Sequence, residues 1–321
     1  MPSLLIKYRD GRIEERTSHE AIEEGLKLPD TVFWLNLEAP EVSEIEEFGR
    51  VFGFHPLTIE DCIKLNQRPK LEDFETYLFV VLHFCVFHRP TGEIDTKELH
   101  IFLGPNYLIT VQGEPIEPLK EIYERCKKDP AIWERGCDFI FYLVGDTIAD
   151  SYFPLLDSIG EDVDRIEDAI LLSPKKEDLD RVFTLKQDMV FLRKIVSPMR
   201  EVFNNLSRKN STLISERNIL YFRDIHGLLL MAYEMIDSYR DMVGNVLEVY
   251  LSTISNRMSE IMKRLTIIAT IFMPLSFTTG FFGMNFTSIP FGSLWLLIGV
   301  LTLTAVLPVS MLLWFYRQKW F

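Results

Sequence analysis

The 321-residue chain carries 47 Asp and Glu against 34 Lys and Arg, a net charge of −13. That balance excludes a nucleic-acid partner, because phosphate contacts need clustered Lys and Arg, and it makes cations the natural partners of the surface. Leu265 to Tyr316 contains no Asp, Glu, Lys or Arg, and only Arg317 and Lys319 follow, so residues 1–264 carry −15.

The N-terminal MPSLLIKYRD has no long apolar core and is not read as a secretory signal. Short runs rich in Val, Ile, Phe and Tyr predict strands at Leu4–Tyr8, Val32–Leu37, Tyr77–Phe87, Leu99–Leu103 and Tyr107–Val111. Between them, Ser18–Leu26, Glu41–Phe52 and Pro56–Lys64 carry helical spacing with early acidic residues. Residues 1–145 are therefore expected to form an α/β or α+β domain. Cys62, Cys85, Cys126 and Cys137 form no CxxC pair, which fits free thiols in a reducing compartment. No phosphate loop, nucleophile elbow or HExxH motif is present, so an enzyme is not expected.

The pattern is helical from about Trp133 to Ser207, with a break at Ser173-Pro174. Residues 146–217 are read as a cytosolic helical pair, whose acidic run Glu161, Asp162, Asp164, Glu167 and Asp168 suits a solvated face. From Asn218 no proline occurs until Pro274, which predicts a stalk helix over 218–264 continuing into the first of two apolar spans. Those spans, 265–286 and 294–316, are each long enough to cross a bilayer. The connector 287–293 contains Pro290 and Gly292, as a tight reversal requires. Lys263 and Arg264 precede the first span and the tail 317–321 is basic, whereas the connector has no positive charge. Both termini are thus expected in the cytoplasm, with the spans in the cell membrane.

A stripe of 3.5-residue period runs along the long helix: Asn245, Glu248, Ser252, Ser255, Ser259, Met262, Thr266, Ala269, Met273, Ser276, Gly280 and Gly283, with Leu265 beside it. Such a period keeps one face toward a common axis. A coiled coil would fill it with Leu and Ile; here it is small or hydroxylated, while Ile267, Ile268, Ile271, Phe272, Leu275 and Phe277 fall elsewhere. Close dry packing of small residues is one use of such a stripe; a hydrated path narrowed by Met262 and Met273 is the other. One chain supplies only one wall of such a path, so the hydrated use requires a homo-oligomer.

The first span closes on Gly283-Met284-Asn285-Phe286. MPLSFTTGFFGMNF, LTIIATIFMPL, HPLTIEDCIKLNQRPK (His55–Lys70), YFRDI (Tyr221–Ile225) and the tail RQKWF together resemble the CorA-type magnesium/cobalt transporter family over essentially the whole chain. The resemblance implies a funnel-shaped homopentamer in the bilayer, with the first span lining a pore. Gly283, Met284 and Asn285 would form its outer entrance, with Gly283 letting the backbone turn. The cargo implied is Mg²⁺, with Co²⁺ or Ni²⁺ also possible. Regulatory Mg²⁺ between subunits is implied at Asp61 and Asp224, with Glu60 and Asp146 contributing, and Glu248 would ring the cytosolic mouth. Relatives' outer-loop glutamate is replaced here by Ser-Ile-Pro-Phe-Gly-Ser. Zinc transport is the alternative within transport, and a membrane-anchored sensor or scaffold the alternative outside it.

Overall fold

The computed structural model describes residues 2–28, 30–88, 93–208, 211–284, 293–318 and 320, without the side chains of His19, Phe87, His88 and Glu93. The chain divides into two compact units: Met1–Asp168 with Glu177–Val246, and Ala169–Lys176 with Leu247–Phe321.

In the first unit, β1 (Ser3–Lys7), β2 (Ile13–Arg16), β3 (Val32–Glu38), β4 (Lys70–Asp73), β5 (Leu78–His88), β6 (Glu93–Leu103) and β7 (Tyr107–Gln112) form one seven-stranded sheet. Its order is β2-β1-β3-β7-β6-β5-β4, and β3–β7 is the parallel pair within an otherwise antiparallel ladder. Three helices accompany one face: α1 (His19–Leu26), α2 (Val42–Phe52) and α3 (Pro56–Lys64). There Leu4, Phe33, Leu35, Phe79, Val81, Phe102 and Ile109 join Ile22, Ile45, Phe48 and Cys62 in one apolar core. Every second strand residue contributes to it, as the two-residue period of a pleated strand demands.

Local sequence explains the helix ends. Glu41 and Glu44 close a capping box at the start of α2, and Gly53, at φ 67°, ends it in the left-handed region that glycine enters without strain. His55 caps α3, its Nδ1 accepting from the Leu57 N–H at 3.2 Å, with Pro56 in the first turn. Gly49 lets the two helices touch: a Cβ there would stand 2.7 Å from Ile59.

The opposite face holds Leu5, Trp34, Val80, Leu82, Leu99, Ile101 and Leu108, all buried. It is met by α4 (Glu117–Lys128), then the single turn α5 (Pro130–Trp133), and α6 (Cys137–Leu172). Trp34 meets Tyr123 of α4 at 5.2 Å, and the Tyr152 hydroxyl of α6 donates to the His83 carbonyl at 2.9 Å. The domain is therefore a helix–sheet–helix sandwich, the α/β architecture expected. Polar residues in its interior satisfy one another: Trp34 Nε1 donates to Thr110, Thr110 to Asn36 Oδ1, and Gln112 Nε2 to the same oxygen.

Two long helices follow, α7 (Lys176–Leu206) and α8 (Ile219–Phe282). Met189, Leu192, Val196, Met199 and Phe203 of α7 and Phe222, Ile225, Leu229 and Ile236 of α8 are buried at helical spacing. A Cβ on Gly145 of α6 would meet Phe203 at 2.7 Å and Ile225 at 3.1 Å, so glycine there allows close approach of three helices. Arg193 and Arg240 both reach Asp237, at 3.1 and 3.2 Å.

The second unit contains the α6–α7 turn, the C-terminal part of α8, and α9 (Leu294–Arg317). With 64 residues, α8 is about 96 Å long. Among the described residues, three helices are long and apolar enough to cross a membrane: α6, α8 and α9. The apolar window of α6 is 61% buried by the protein itself, whereas those of α8 and α9 are 6% and 0% buried. The protein itself covers most of the α6 window; among the described residues it covers little of the other two, and lipid is the solvent that suits them.

Candidate functional site

Every described residue of the predicted stripe is exposed: Asn245, Glu248, Ser252, Ser255, Ser259, Met262, Leu265, Thr266, Ala269, Met273, Ser276, Gly280 and Gly283. In the apolar stretch of α8, the buried or half-buried residues include Ile267, Ile271, Pro274, Thr278 and Phe282. At about 100° per residue, these lie nearly half a turn from the stripe. The small, hydroxylated face is thus bare, as are Ile268, Phe272 and Phe277 elsewhere on the helix, while Ile267 is buried and Ile271 half-buried.

Two of the hydroxyls on that face are satisfied within the helix. Ser259 Oγ donates to the Ser255 carbonyl at 3.0 Å, and Thr266 Oγ1 to the Met262 carbonyl at 2.8 Å. With the proton used within the helix, each oxygen keeps lone pairs free to accept from water. Hard cations in their hydration shells present outward-pointing O–H groups, for which such acceptors are complementary.

At the far end, α8 closes after Phe282, the Gly283 and Met284 amides donating to Thr279 and Phe281 carbonyls at 2.9 and 3.2 Å. Gly283 does not adopt a left-handed φ. What its bare Cα avoids is a 3.0 Å approach of a Cβ to the Thr279 carbonyl, which leaves that end of the helix unobstructed. Met284 is 56% exposed. Asn285 lies outside the described residues. At the other membrane surface, Lys263 sits over the Trp320 ring at 5.8 Å and Trp320 against Phe315 at 5.4 Å, so the tail folds back on α8.

The candidate regulatory carboxylates fall into two sets within the first unit. On α3, Glu60 is paired with Lys64, and Asp61 with Lys70 at 2.7 Å; the same ammonium reaches Glu72 at 2.7 Å. Burial pulls the Lys70 pKa down, but the hydrogen bonds the ammonium donates to Asp61 and Glu72, with their charges, outweigh it and hold it above its ordinary value. On α6 and α8, half-buried Asp146 lies near Asp150 and Asp224. Burial, then the charges of Asp150 and Asp224, push the Asp146 carboxyl above the usual carboxylate range. Among the described residues, no three His, Cys, Asp or Glu side chains converge on a metal position within one chain.

Sequence reasoning missed Lys70, Glu72 and Asp150. Asp150 was legible, one helical turn beyond Asp146. Lys70 was not, because its pairing with Asp61 depends on a loop that returns β4 to α3.

A carboxylate-bearing α/β domain together with long apolar, charge-free helical runs from Leu265 onward defines an integral membrane protein. The comparisons with known proteins narrow that class. The sequence model of the family described as CorA-like Mg²⁺ transporter protein matches residues 29–317. The cobalt/magnesium transport protein CorA of Thermotoga maritima is 35% identical over 293 residues, covering 90% of this chain and 84% of that protein. CorA of Methanocaldococcus jannaschii is 24% identical with full coverage of both chains. The solved structure of the latter superposes with a TM-score of 0.85 at 21% identity, over 99% of this chain and 98% of that one. This chain belongs to the CorA-like Mg²⁺ transporter family; it is a membrane-embedded divalent-cation transporter and not an enzyme.

Proposed function

We propose that five copies of the chain surround the bare face of α8 and form a channel that passes Mg²⁺, with Co²⁺ and Ni²⁺ as further cargo. The observation that carries this reading is an uncharged stripe of 3.5-residue period, mostly small or hydroxylated, that stays exposed from Ser252 to Gly283. The membrane part is a two-span hairpin of α8 and α9 with both termini cytoplasmic. The spans follow a cytosolic α/β domain (1–145), a helical pair (146–217) and a stalk (218–264), and the whole assembly is funnel-shaped.

Mg²⁺ prefers six oxygens and gives up water reluctantly, so a path lined by hydroxyl and carbonyl acceptors suits the hydrated ion without a dehydration penalty. No carboxylate lies in the spans, so no proton relay accompanies the ion. An inward-negative potential of about 100 mV supplies roughly 4–5 kcal/mol for a divalent charge. Glu248 forms an acidic ring at the cytosolic mouth, Met262, Leu265 and Met273 provide apolar constrictions that gate by excluding water, and Gly283, Met284 and Asn285 form the outer filter.

Cytosolic Mg²⁺ bound between subunits closes the path. The donor set fits: the crowded Asp146, Asp150 and Asp224 supply hard oxygens whose mutual repulsion a divalent ion relieves. Asp61 takes part once a cation displaces Lys70, and Glu60 stands beside it. Uptake into liposomes under an imposed potential tests the reading. Asn285→Ala abolishes Mg²⁺ entry while assembly is kept; unchanged entry removes the filter from that residue.

A further inference from the structure

The α6–α7 turn is apolar and exposed where a helical hairpin tip would ordinarily be polar. Leu171 is 58% and Leu172 85% exposed, with Lys175 and Lys176 two turn residues further on. Its placement separates it from an ordinary surface defect. Residues 169–176 form one compact unit with the membrane helices, and Arg257 Nη2 of α8 donates to Ser173 Oγ at 3.1 Å. Arg257 precedes Lys263, the residue over Trp320, by six positions, about 9 Å along the helix. Headgroup layers extend roughly 5–8 Å beyond the hydrocarbon, and amphipathic leucines insert into that layer. A leucine side chain at the turn spans the remainder.

Charge points the same way. Among residues 169–176 and 247–321 there are seven Lys and Arg against Glu248 and Glu260, a net of +5 in a chain of net −13. The rest of the chain thus carries −18, so the turn belongs to the basic minority of an acidic protein. We propose that Leu171, Leu172, Lys175 and Lys176 dock on the anionic lipid surface of the cytoplasmic leaflet, tying the α6–α7 hairpin to the bilayer. Leucines supply apolar burial in the headgroup layer, and lysines an attraction that fades within a Debye length. The surface continues the membrane contact of α8 and α9, and it holds whether or not the bare face of α8 conducts ions.

The four native cysteines are buried, so a single exposed thiol can be labelled selectively. Full-length protein carrying Leu172→Cys and an environment-sensitive thiol dye is reconstituted in phosphatidylcholine vesicles with and without phosphatidylglycerol. The expected result is loss of most emission when the lipid carries a headgroup-proximal nitroxide, with a weaker loss in phosphatidylcholine alone and a weaker loss again with Lys176→Glu. A dye quenched by aqueous iodide and untouched by lipid nitroxide overturns the proposal. Equal quenching in neutral and anionic vesicles overturns the choice of an anionic surface.

Discussion

Lys70→Met tests whether Asp61 takes part in cation sensing. The ammonium is shared by Asp61 and Glu72 at 2.7 Å each, with side-chain exposures of 29% for Lys70 and 18% for Asp61. An exposed pair contributes about 0–1 kcal/mol, and breaking a buried one costs about 3–5, so this half-buried bridge is worth about 2. Methionine keeps the stem over Phe79, where the Lys70 nitrogen stands 5.5 Å from the ring, and removes the charge alone. Two carboxylates are then left facing one another, and a divalent ion that formerly had to displace Lys70 meets no competitor. Relief of about 2 kcal/mol corresponds to roughly a 30-fold gain in affinity. In liposome uptake assays, the internal Mg²⁺ concentration that half-inhibits flux is expected to fall by about that factor. Chemical denaturation should show a loss of stability of about 2 kcal/mol in chelator that Mg²⁺ restores. A midpoint unchanged or moved to higher Mg²⁺, with a stability loss that Mg²⁺ does not recover, would show Asp61 to be a structural ion-pair partner only.

Asp146→Asn removes the charge that burial and its neighbours Asp150 and Asp224 disfavour. Thermal melts in chelator should show a gain of no more than about 1 kcal/mol, since the group is half in water, and a smaller Mg²⁺-dependent rise in Tm than in the parent. In the parent, stability falls as pH rises through the raised Asp146 pKa, and that slope should vanish in the variant; a Mg²⁺-dependent rise of undiminished size counts against Asp146 as a ligand. His100 is fully buried, and burial pulls its pKa down to about 4 against the opposing charges of Glu98 and Asp61. The unfolded chain takes up that proton near 6.5 and the fold does not, so stability should decline by roughly 3 kcal/mol between about pH 6.5 and 4. His100→Leu should flatten that limb in pH-dependent unfolding followed by circular dichroism; an unaltered limb would place the titration elsewhere.

Much of the architecture is legible because its signals are local. The proline-free run from 218 to 273 lies almost wholly within α8, and the charge-free run 294–316 lies within α9. Elements at sheet edges hide for the converse reason. IEER of β2 and KLED of β4 are polar strands with few buried side chains, and neither carries the alternation that marks a strand. The expected strand at Leu99–Leu103 begins at Glu93, because Asp95, Lys97 and Glu98 look like loop residues until Val86, Phe84 and His83 pair with them across the ladder. Pro154 and Pro198 sit inside α6 and α7, where proline ordinarily signals a break. The stripe of α8 is legible as a 3.5-residue period of mostly small and hydroxylated residues, a pattern that spacing alone carries. Carboxylate partners were not, because Asp61–Lys70 and Asp146–Asp224 join residues through tertiary approach that no local pattern encodes.

The central claim is that the small, hydroxylated face of α8 borders a water-filled cation path. With the native cysteines buried, Ser276→Cys can be probed in the reconstituted full-length protein by a small, membrane-impermeant thiol reagent while Mg²⁺ uptake is followed. Modification that stops uptake, and that Mg²⁺ bound on the cytosolic side slows, is the predicted result. A thiol at position 276 that never reacts in any state, or that reacts while Mg²⁺ entry continues at its full rate, contradicts it.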